Sequence, residues 1–349
     1  MEYRKIKGTD LRLSVIGTGC WAFGGGDYWG AQNQKDTNDV VNASVDGGIN
    51  YFDTAEGYNE GRSETALGEA LKFVSREKLV IGTKVSPSNA YPGTLEKHCE
   101  ASLQRLGTDY IDIYMIHWPV HPHSIRHFTK DEQIINHPPR IEDALEIMQK
   151  LRNVGKIRYF GLSNFSFNRL KSDIPANMGI TVNELPYNLL CRAIEYETLP
   201  YCLDNGIGVI GYMTLLQGIL TGKYTSLNEI PEWQRRTRHF NATGTPLCRH
   251  GEKGFENETE QALKAIAGIA SKSGYSMAEI ATKWVISSGI TCALAGARNV
   301  RQLEENLKAA ESEMDVEILN QLNLATLELK EKMGNHFDYY ENPRDDRTL

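Results

Sequence analysis

The feature that most constrains this chain is a regular spacing of short strand-like runs that each end in a polar residue. Asp53, Lys84 and His117 each follow such a run, and they lie 31 and 33 residues apart. That spacing is about the length of one strand, one helix and their connections. Tyr58 lies five residues after Asp53, in a loop that contains two glycines. Because parallel strands place their carboxyl ends on one face, we expect these four side chains to converge there.

Eight strand-like runs alternate with amphipathic stretches along the chain. The runs span residues 15–17, 51–52, 79–83, 111–116, 159–163, 181–184, 208–212 and 290–295. The helical repeat is clearest from Leu95 to Leu106, where apolar residues share one face before Gly107. Eight strands in 349 residues are typical of a (β/α)8 TIM barrel, an α/β fold that often forms one domain of this size.

The two ends of the chain are predicted to lie outside the strand–helix array. Residues 3–14 contain two short strands around a Gly-Thr-Asp turn, which favours a β-hairpin that plugs the amino end of the barrel. Residues 336–349 are mostly polar. We therefore expect a single barrel domain over residues 1–335 and a polar C-terminal tail over residues 336–349.

A glycine-rich stretch suggests a competing fold. The run from Gly17 to Ala22 matches the G-x-G-x-x-A form of the dinucleotide fingerprint found in doubly wound sheets. In that fold the fingerprint opens directly into a helix, whose amide end holds a pyrophosphate. Here the sequence continues as Phe23-Gly-Gly-Gly-Asp-Tyr-Trp-Gly30, which cannot form a helix. The continuation argues against a Rossmann fold and for a loop after the first barrel strand.

The composition limits the class of function. A net charge of −7 argues against a nucleic acid or a membrane surface as the partner. No apolar run reaches the roughly 18 residues of a membrane span, and the polar start at Met1 lacks the apolar region of a signal peptide. Six scattered cysteines are typical of reduced thiols. We expect a cytoplasmic protein that acts on a small molecule.

Two long connections, residues 119–139 and 225–257, interrupt the strand–helix rhythm and are typical of lids or binding loops. The first contains four histidines but no cysteine or carboxylate at metal-ligand spacing, so we expect no metal site. The second is basic, with Arg235, Arg236, Arg238, His239, Arg249 and His250. It could bind cofactor phosphates or an acidic substrate, or it could be a solvated surface loop.

The four converging side chains form a proton donor and the groups that tune it. A phenol has an ordinary pKa near 10, so Tyr58 needs a neighbour that stabilises its phenolate, and Lys84 can do this. Asp53 can keep Lys84 protonated, and His117 can hydrogen-bond a bound carbonyl oxygen. The set lacks a nucleophile, a metal cage and a redox centre, so a bound cofactor must supply the electrons.

Each of these residues also has a purely structural interpretation. Asp53 and Lys84 could be an ion pair of the core, Tyr58 a surface aromatic and His117 a hydrogen-bonded core histidine. Taken one at a time, that interpretation is favoured, since paired or perturbed groups are often structural. Four such residues at successive strand ends favour a catalytic site.

The sequence resembles the aldo-keto reductase family over nearly its whole length. The resemblance rests on short motifs in a specific order: Phe52-Asp53-Thr-Ala, Tyr58, Gly61-Arg-Ser63-Glu64, Gly82-Thr-Lys84, Ile116-His117, Gly161-Leu-Ser163-Asn164-Phe165, Pro186-Tyr187-Asn188-Leu189-Leu190, Leu220-Thr-Gly222-Lys223-Tyr224 and Gly296-Ala-Arg298. It implies a (β/α)8 barrel that binds a nicotinamide cofactor without a Rossmann fold. It also implies a catalytic tetrad of Asp53, Tyr58, Lys84 and His117.

The resemblance further implies the residues of a cofactor site. Ser163 and Asn164 would hydrogen-bond the nicotinamide carboxamide, and Tyr212 would stack on the ring. The pyrophosphate would lie along Leu215, Gln217, Gly218 and Lys223, and the adenosine end would contact Gly296, Ala297, Arg298, Gln302, Glu305 and Asn306. The planar guanidinium of Arg298 suits a 2′-phosphate, so NADP(H) is expected rather than NAD(H).

One residue departs from the family pattern. The family usually has Gln where this chain has Glu184, beside the expected nicotinamide. An ionised carboxylate would favour the positively charged oxidised cofactor, so Glu184→Gln would tighten binding of NADPH relative to NADP⁺. A nearby cation could instead neutralise Glu184 and make the departure silent.

The expected activity is interconversion of an aldehyde or ketone, including a sugar, with its alcohol. Trp21, Trp29 and Trp118 lie on the loop side of strands and could line the substrate pocket, with Trp118 the preferred candidate. The alternative is a regulatory subunit that senses the redox state of a nicotinamide cofactor, with only incidental turnover. The sequence does not indicate the substrate or the oligomeric state, since specificity in this architecture depends on loop shape.

Overall fold

The computed structural model describes residues 1–72, 74–175 and 178–349. Its strands are β1 (Tyr3–Lys5), β2 (Arg12–Ser14), β3 (Ile16–Gly19), β4 (Tyr51–Asp53), β5 (Val80–Val85), β6 (Ile111–Ile116), β7 (Ile157–Ser163), β8 (Val182–Pro186), β9 (Gly208–Tyr212) and β10 (Cys292–Gly296). Its helices are α1 (Gln34–Asp46), α2 (Arg62–Leu71), α3 (Thr94–Leu106), α4 (Pro122–Ile125), α5 (Glu132–Asn136), α6 (Ile141–Asn153), α7 (Phe167–Asp173), α8 (Thr198–Asp204), α9 (Glu256–Ser273), α10 (Met277–Ser287), α11 (Val300–Lys308), α12 (Val316–Ala325) and α13 (Leu327–Met333).

Strands β3 to β10 form a closed barrel in the order β10-β3-β4-β5-β6-β7-β8-β9. All of the neighbouring pairs are parallel. The prediction of a (β/α)8 TIM barrel is therefore confirmed. The Rossmann alternative is excluded, because Gly17 and Gly19 lie within β3 and the next helix begins only at Gln34.

Strand periodicity decides which residues face the barrel interior. Tyr51, Val80, Ile113 and Met115 belong to the cluster that fills the barrel, whereas Phe52 packs outward against the helices. Successive residues of a strand point to opposite faces, so the inward set continues two residues further along each strand. The same alternation therefore turns Asp53, Lys84 and His117 inward at the carboxyl end.

The N-terminal hairpin closes the opposite end of the barrel, as the sequence predicted. Strands β1 and β2 pair antiparallel. Ile6, Leu11 and Leu13 are almost completely buried and belong to the same cluster as the barrel interior. Burial of three aliphatic side chains there contributes about 1.5–3 kcal/mol each before entropy losses. The hairpin thus seals the amino end, and the carboxyl end is left for a ligand.

Residues 336–349, which the sequence predicts to be a polar tail, pack against the barrel. Phe337 and Tyr339 are buried, and the carboxylate of Asp338 accepts two hydrogen bonds of 2.7 Å from the Arg347 guanidinium. The Arg347 guanidinium lies 4.0 Å from the ring centre of Trp118. Composition alone missed this packing, because the segment buries its charges as an ion pair.

The long connections differ in structure. Residues 119–139 contain α4 and α5, whereas residues 225–257 form short turns around the buried side chains of Ile230 and Phe240. In the part of the chain that the structure describes, no helix combines the length and the apolar character that crossing a membrane requires.

Candidate active site at the carboxyl end of the barrel

Lys84 is the centre of the polar cluster at the carboxyl end. Its side chain is completely buried on β5, and Nζ donates to Asp53 Oδ1 at 2.6 Å. Nζ also donates to the carbonyl oxygen of Thr54 at 3.0 Å and to the Tyr58 hydroxyl at 3.3 Å. The structure therefore brings together Asp53, Tyr58 and Lys84, which the sequence places on two strands and a loop.

Tyr58 is held by the loop that follows β4. Its neighbours Asn59 and Glu60 have φ values of 52° and 58°, in the left-handed region that ordinary residues seldom adopt. Asn59 Nδ2 donates to the carbonyl oxygens of Trp21 and Phe23 at 2.7 and 2.9 Å. These bonds tie the Tyr58 loop to the glycine-rich loop after β3, so the strained turn is fixed from both sides.

The protonation states at Tyr58 and Lys84 follow from burial and charge. Burial raises the pKa of Tyr58 above its ordinary value, and the Lys84 charge offsets only part of that rise. Lys84 lowers the pKa of Tyr58, as expected, but burial outweighs this effect. In the free protein the phenol is therefore less acidic than an ordinary tyrosine. Burial by itself lowers the pKa of Lys84, yet the acidic groups around it, Asp53 foremost, hold it above its ordinary value. In the free protein Tyr58 is thus a neutral proton donor beside the Lys84 ammonium.

His117 follows β6 and lies beside Tyr58, with 5.5 Å between the two ring centres. Burial, with the charges of Lys84 and Arg347, lowers the pKa of His117 well below its ordinary value. Its Nδ1 atom is buried and has no hydrogen-bond partner among the described residues. His117 is therefore a neutral imidazole with unused hydrogen-bonding capacity, which suits an uncharged contact with a carbonyl oxygen.

Glu184 lies on β8 with its carboxyl group turned towards the same lysine. Oε2 is 3.4 Å from Lys84 Nζ, and the side chain is 3% exposed. Burial and the neighbouring charge of Asp53 raise the pKa of Glu184 well above its ordinary value, although Lys84 opposes this. Of the two states left open by the sequence, an ionised carboxylate and a neutralised one, the geometry thus favours a neutral carboxylic acid in the free protein.

Ser163, Asn164 and Tyr212 lie together beside this cluster. The Tyr212 hydroxyl donates to Asn164 Oδ1 at 2.7 Å, and Asn164 Nδ2 donates to Ser163 Oγ at 2.9 Å. Asn164 has a φ of 65°, and its backbone N–H donates to the Glu184 carbonyl oxygen at 2.9 Å. The three side chains predicted to contact a nicotinamide are therefore one hydrogen-bonded group next to Glu184.

The loop after β9 is strained where the pyrophosphate was predicted. Leu216, Gln217 and Gly218 have φ values of 44°, 55° and 94°. A Cβ atom on Gly218 would lie 3.1 Å from Lys223 Nζ, so this backbone and the lysine approach closely. Leu215 precedes this turn, and all four predicted residues lie on one connection. Strain of this kind is frequent at ligand sites.

The connection after β10 leads into α11, whose amino end faces the rim of the barrel. Asn299 caps this helix by accepting from Gln302 N at 3.0 Å, and Asn306 Nδ2 donates to the Gly296 carbonyl oxygen at 3.2 Å. Ala297 is buried there, whereas Glu305 is exposed. Helix amino ends after the last two strands are frequent phosphate sites in TIM barrels.

Arg298 contacts the glycine-rich loop in this structure. Its Nη2 donates to the Ala31 carbonyl oxygen at 2.6 Å, and Nε donates to Gln32 Oε1 at 3.1 Å. A 2′-phosphate contacting Arg298 would compete with these two bonds. The Arg298 guanidinium is therefore placed between the rim of the cofactor region and the loop after β3.

The three predicted substrate tryptophans separate into two groups. Trp21 is 36% exposed, and its ring centre is 5.9 Å from that of Tyr58. Trp29 packs edge-on against Trp21. Trp118 is instead covered by Arg347. Trp21 thus packs beside Tyr58, the predicted proton donor, whereas the guanidinium of Arg347 lies over Trp118.

Further residues of this region escaped sequence reasoning. The Tyr28 hydroxyl donates to Gln217 Oε1 at 2.7 Å, and Gln217 Nε2 donates to the Tyr340 hydroxyl at 2.8 Å. Tyr28 had a usable signal, since it stands beside Trp29 in the glycine-rich loop. Tyr340 and Arg347 had none, because their positions depend on how the C-terminal segment packs.

Several basic side chains of the 225–257 loop already contact other groups of the protein, so the loop is not simply solvated and not all of its cations are available to an anion. Arg238 is buried against Glu252 at 3.0 Å, and Arg249 contacts Glu341 at 2.5 Å. Arg236 lies over the rings of Tyr28 and Tyr340, and its buried Nε has no partner among the described residues. Part of this loop is therefore structural.

Comparison with known proteins agrees with this fold and geometry. Residues 15–325 match the model of the aldo/keto reductase family, and the chain belongs to this family of oxidoreductases. The NADH-specific methylglyoxal reductase of Escherichia coli (strain K12) is 36% identical over 236 residues, which cover 62% of this chain and 68% of that protein.

Two solved structures are similar to this chain over most of their length. The glycerol dehydrogenase of Gluconobacter oxydans has a TM-score of 0.72 and 27% identity, covering 93% of this chain and 96% of that one. An aldo/keto reductase of Klebsiella pneumoniae, solved with NADP and acetate, has a TM-score of 0.66 and 25% identity, covering 90% and 92%. Together with the family match, these relatives support interconversion of a carbonyl and an alcohol.

Proposed function

We propose that this protein is an NADP(H)-dependent oxidoreductase that interconverts an aldehyde or ketone and its alcohol, with Tyr58 as the general acid and base. The observation that carries the proposal is the arrangement around Lys84. One buried ammonium contacts both the Tyr58 hydroxyl at 3.3 Å and Asp53 at 2.6 Å, with neutral His117 alongside. This is a proton donor with its stabilising charge already in place.

The residues around this cluster fit a nicotinamide cofactor. Ser163 and Asn164 offer polar groups suited to a carboxamide, and the Tyr212 ring lies next to them. The close approach of Gly218 and Lys223 leaves backbone and ammonium together, which suits a pyrophosphate. The amino end of α11 and Arg298 would hold the adenosine phosphate. When bound, such a cofactor would supply the hydride for the carbonyl carbon, which the chain's own side chains cannot do.

The protein's own residues manage the proton. In reduction, His117 hydrogen-bonds the carbonyl oxygen while Tyr58 donates its proton to that oxygen. The phenolate that forms is stabilised by the Lys84 ammonium, whose charge Asp53 maintains. Because Tyr58 is neutral in the free protein, this direction needs no prior loss of a proton. Alcohol oxidation reverses these steps.

The preference for NADP(H) over NAD(H) is a separate part of the proposal. Its support is Arg298, a planar cation whose contacts to Ala31 and Gln32 a 2′-phosphate would replace. The E. coli relative named as NADH-specific gives the opposing possibility, and the solved Klebsiella relative was crystallised with NADP. Arg298 is therefore the residue on which the cofactor choice can be tested.

The substrate is proposed to be a small polar carbonyl compound or polyol. Trp21, Tyr58 and His117 would form one aromatic wall at the carboxyl end. The relatives named for methylglyoxal and glycerol both act on small oxygen-rich compounds. A panel of sugars, polyols, oxoaldehydes and aromatic aldehydes, with NADPH or NADP⁺, would rank these classes.

The experiment that tests the proposal is Tyr58→Phe. Removal of the only proposed proton donor should lower kcat by about 10²–10⁴-fold while the Kd for NADPH stays within a factor of about two. Tyr114→Phe is the matched control, because its buried hydroxyl has no partner among the described residues and lies outside the site. Equal kcat values for Tyr58→Phe and the wild type would exclude Tyr58 as the donor.

The same variant separates an enzyme from a cofactor-sensing subunit. A sensor needs the cofactor site but not turnover, so Tyr58→Phe would retain its biological effect. An enzyme would lose that effect together with turnover. Comparison of a deletion strain complemented by either form would distinguish the two.

A further inference from the structure

Glu184 has no role in the mechanism above, although it lies within the same cluster. Its Oε2 atom is 3.4 Å from Lys84 Nζ, is buried and has no hydrogen-bond partner in the described part of the chain. Lys84 already has a counter-ion in Asp53 at 2.6 Å. One ammonium cannot neutralise two buried carboxylates, so the two acids hold one proton between them.

The contacts indicate which acid holds this proton. Asp53 makes the shorter bond to Lys84 and also accepts from the Tyr51 hydroxyl at 3.3 Å. Glu184 makes the longer contact to Lys84, and burial together with the Asp53 charge raises its pKa. The titratable groups that act on Glu184 from the surrounding elements are Tyr51, Asp53, Tyr58, Lys84, Tyr212 and Cys292. Of these only Lys84 is cationic, and it lies closer to Asp53 than to Glu184, so the proton resides on Glu184.

Resting on the proposed function, we propose that Glu184 stores the proton consumed in carbonyl reduction and delivers it to Tyr58 through Lys84. After Tyr58 has protonated the substrate oxygen, the Lys84 ammonium donates a proton to the phenolate. Glu184 then donates its carboxyl proton to the Lys84 amine. The products are a neutral Tyr58, a charged Lys84 and an ionised Glu184. In alcohol oxidation the ionised Glu184 takes the proton back along the same path.

Proton loss from Glu184 would balance the charge that the cofactor gains in the reaction. Oxidation of a nicotinamide makes its ring positive, and an ionised Glu184 would compensate that charge. Glu184 lies next to the residues proposed to hold the nicotinamide, since Ser163 Oγ and Asn164 N both donate to its backbone carbonyl oxygen, at 3.2 and 2.9 Å. A glutamine here could neither store a proton nor become charged. Glu184 is thus a positioning residue for the proton, acting through Lys84.

Proton release on cofactor binding tests this inference without any turnover. Calorimetric titration of the wild type at pH 8 with NADP⁺ and with NADPH, in phosphate and in Tris, gives the protons released from the buffer dependence of the enthalpy. We expect about one more proton released with NADP⁺ than with NADPH, because Glu184 ionises only beside the positive ring. The 2′-phosphate is the same in both ligands, so its own titration cancels in this difference.

Glu184→Gln should abolish the difference between the two cofactors. Glu56→Gln is the matched control, since Glu56 is another buried glutamate whose carboxylate accepts from Ser86 N and Asn89 Nδ2 and has no contact with the Lys84 ammonium among the described residues. The control should keep the wild-type difference. A wild type without a difference, or a Glu184→Gln variant that keeps it, would overturn the inference. If the variant does not fold, the wild type still tests the inference, because the absence of a difference there overturns it.

The affinity ratio provides a second readout. The affinity for NADP⁺ relative to NADPH should rise with pH in the wild type, by up to about tenfold per pH unit, and should be flat in Glu184→Gln. A flat wild-type ratio would contradict the inference. Failure of the wild type to bind either cofactor would instead contradict the proposed function. Binding and turnover without linked proton release would contradict only the role of Glu184.

Discussion

The two ends of the barrel both bury a carboxylate next to cations, but they satisfy it differently. At the amino end, Asp112 is completely buried and accepts from Arg76 Nη2 at 2.6 Å, Ile81 N at 2.9 Å and Arg158 Nη1 at 2.6 Å. Arg158 also contacts Asp10 at 2.8 Å. Two arginines therefore face two aspartates, and both oxygens of the buried Asp112 are hydrogen-bonded.

At the carboxyl end the charges do not match in this way. One lysine, Lys84, faces the two acids Asp53 and Glu184. His117 Nδ1 and Glu184 Oε2 are buried without partners among the described residues. Leaving such groups unsatisfied costs about 1–3 kcal/mol each. The amino end is therefore built for stability, and the carboxyl end retains polar atoms for a ligand or a moving proton.

The strongest test of this contrast is Asp112→Asn. The amide would place an NH2 group among three donors and leave the arginines without their buried counter-ion. We expect a loss of about 3–5 kcal/mol in the free energy of unfolding, measured by urea denaturation. The kcat of the remaining folded enzyme should not change, since no proposed catalytic atom touches Asp112. A stability loss below 1 kcal/mol would show that the matched network is not structural.

The corresponding change at the carboxyl end is Asp53→Asn, for which the expected pattern reverses. Glu184 can ionise and replace Asp53 as the counter-ion of Lys84, so the free energy of unfolding should fall by less than about 1.5 kcal/mol. Turnover should fall about 100-fold, equivalent to about 2.7 kcal/mol, because the charge that holds Lys84 is displaced. Steady-state kinetics and urea unfolding of both variants give the crossed comparison. Equal stability losses at Asp53 and Asp112 would remove the distinction between the two ends.

A third test concerns the exposed rim of the carboxyl end. If Arg298 contacts a 2′-phosphate, Arg298→Ala should weaken NADPH binding by about 1–3 kcal/mol and leave NADH binding nearly unchanged. Fluorescence titration with both cofactors measures this. Arg301→Ala is a suitable control, because Arg301 lies three residues further on, in α11, is largely exposed and is only loosely paired with Glu305. Equal weakening of NADPH and NADH by Arg298→Ala would show that Arg298 does not recognise the phosphate.

The smallest expected effect is at His98, whose Nδ1 lies 2.6 Å from the buried carboxylate of Glu56 at the carboxyl end. The hydrogen bond to Glu56 raises the pKa of His98. The histidine therefore adds stability that is fully present below its ordinary pKa of about 6.5 and is lost as pH rises through the raised value.

The pKa of Glu56, the acid of this pair, shifts in the opposite direction to that of His98. Burial raises the pKa of Glu56, but the bonds from His98 and Ser86 outweigh it and leave the pKa lowered. The stability that Glu56 contributes to the fold is lost only as pH falls through that lowered pKa. His98→Gln should therefore cost about 0.5 kcal/mol at pH 6 and nearly nothing at pH 9, allowing for the partial exposure of His98. Urea unfolding at both values checks this, and a cost that grows with pH would contradict it.

The sequence by itself determined the barrel and the convergence of the tetrad. The alternation of strands and helices is a local pattern, and period-two alternation within a strand decides which residues point inward. Asp53, Lys84 and His117 therefore share the inward face whatever the details of packing. The family motifs added the expected cofactor residues, which lie together at the same end.

Only the tertiary structure determined the protonation states of the site and the packing of the C-terminal segment beside it. The raised pKa values of Tyr58 and Glu184 depend on burial and on neighbours from other strands, and neither is a local property of the sequence. The packing of Arg347 against Trp118 joins segments far apart in the chain. A polar composition predicted a tail there, because composition does not show that Asp338 and Arg347 neutralise each other once buried.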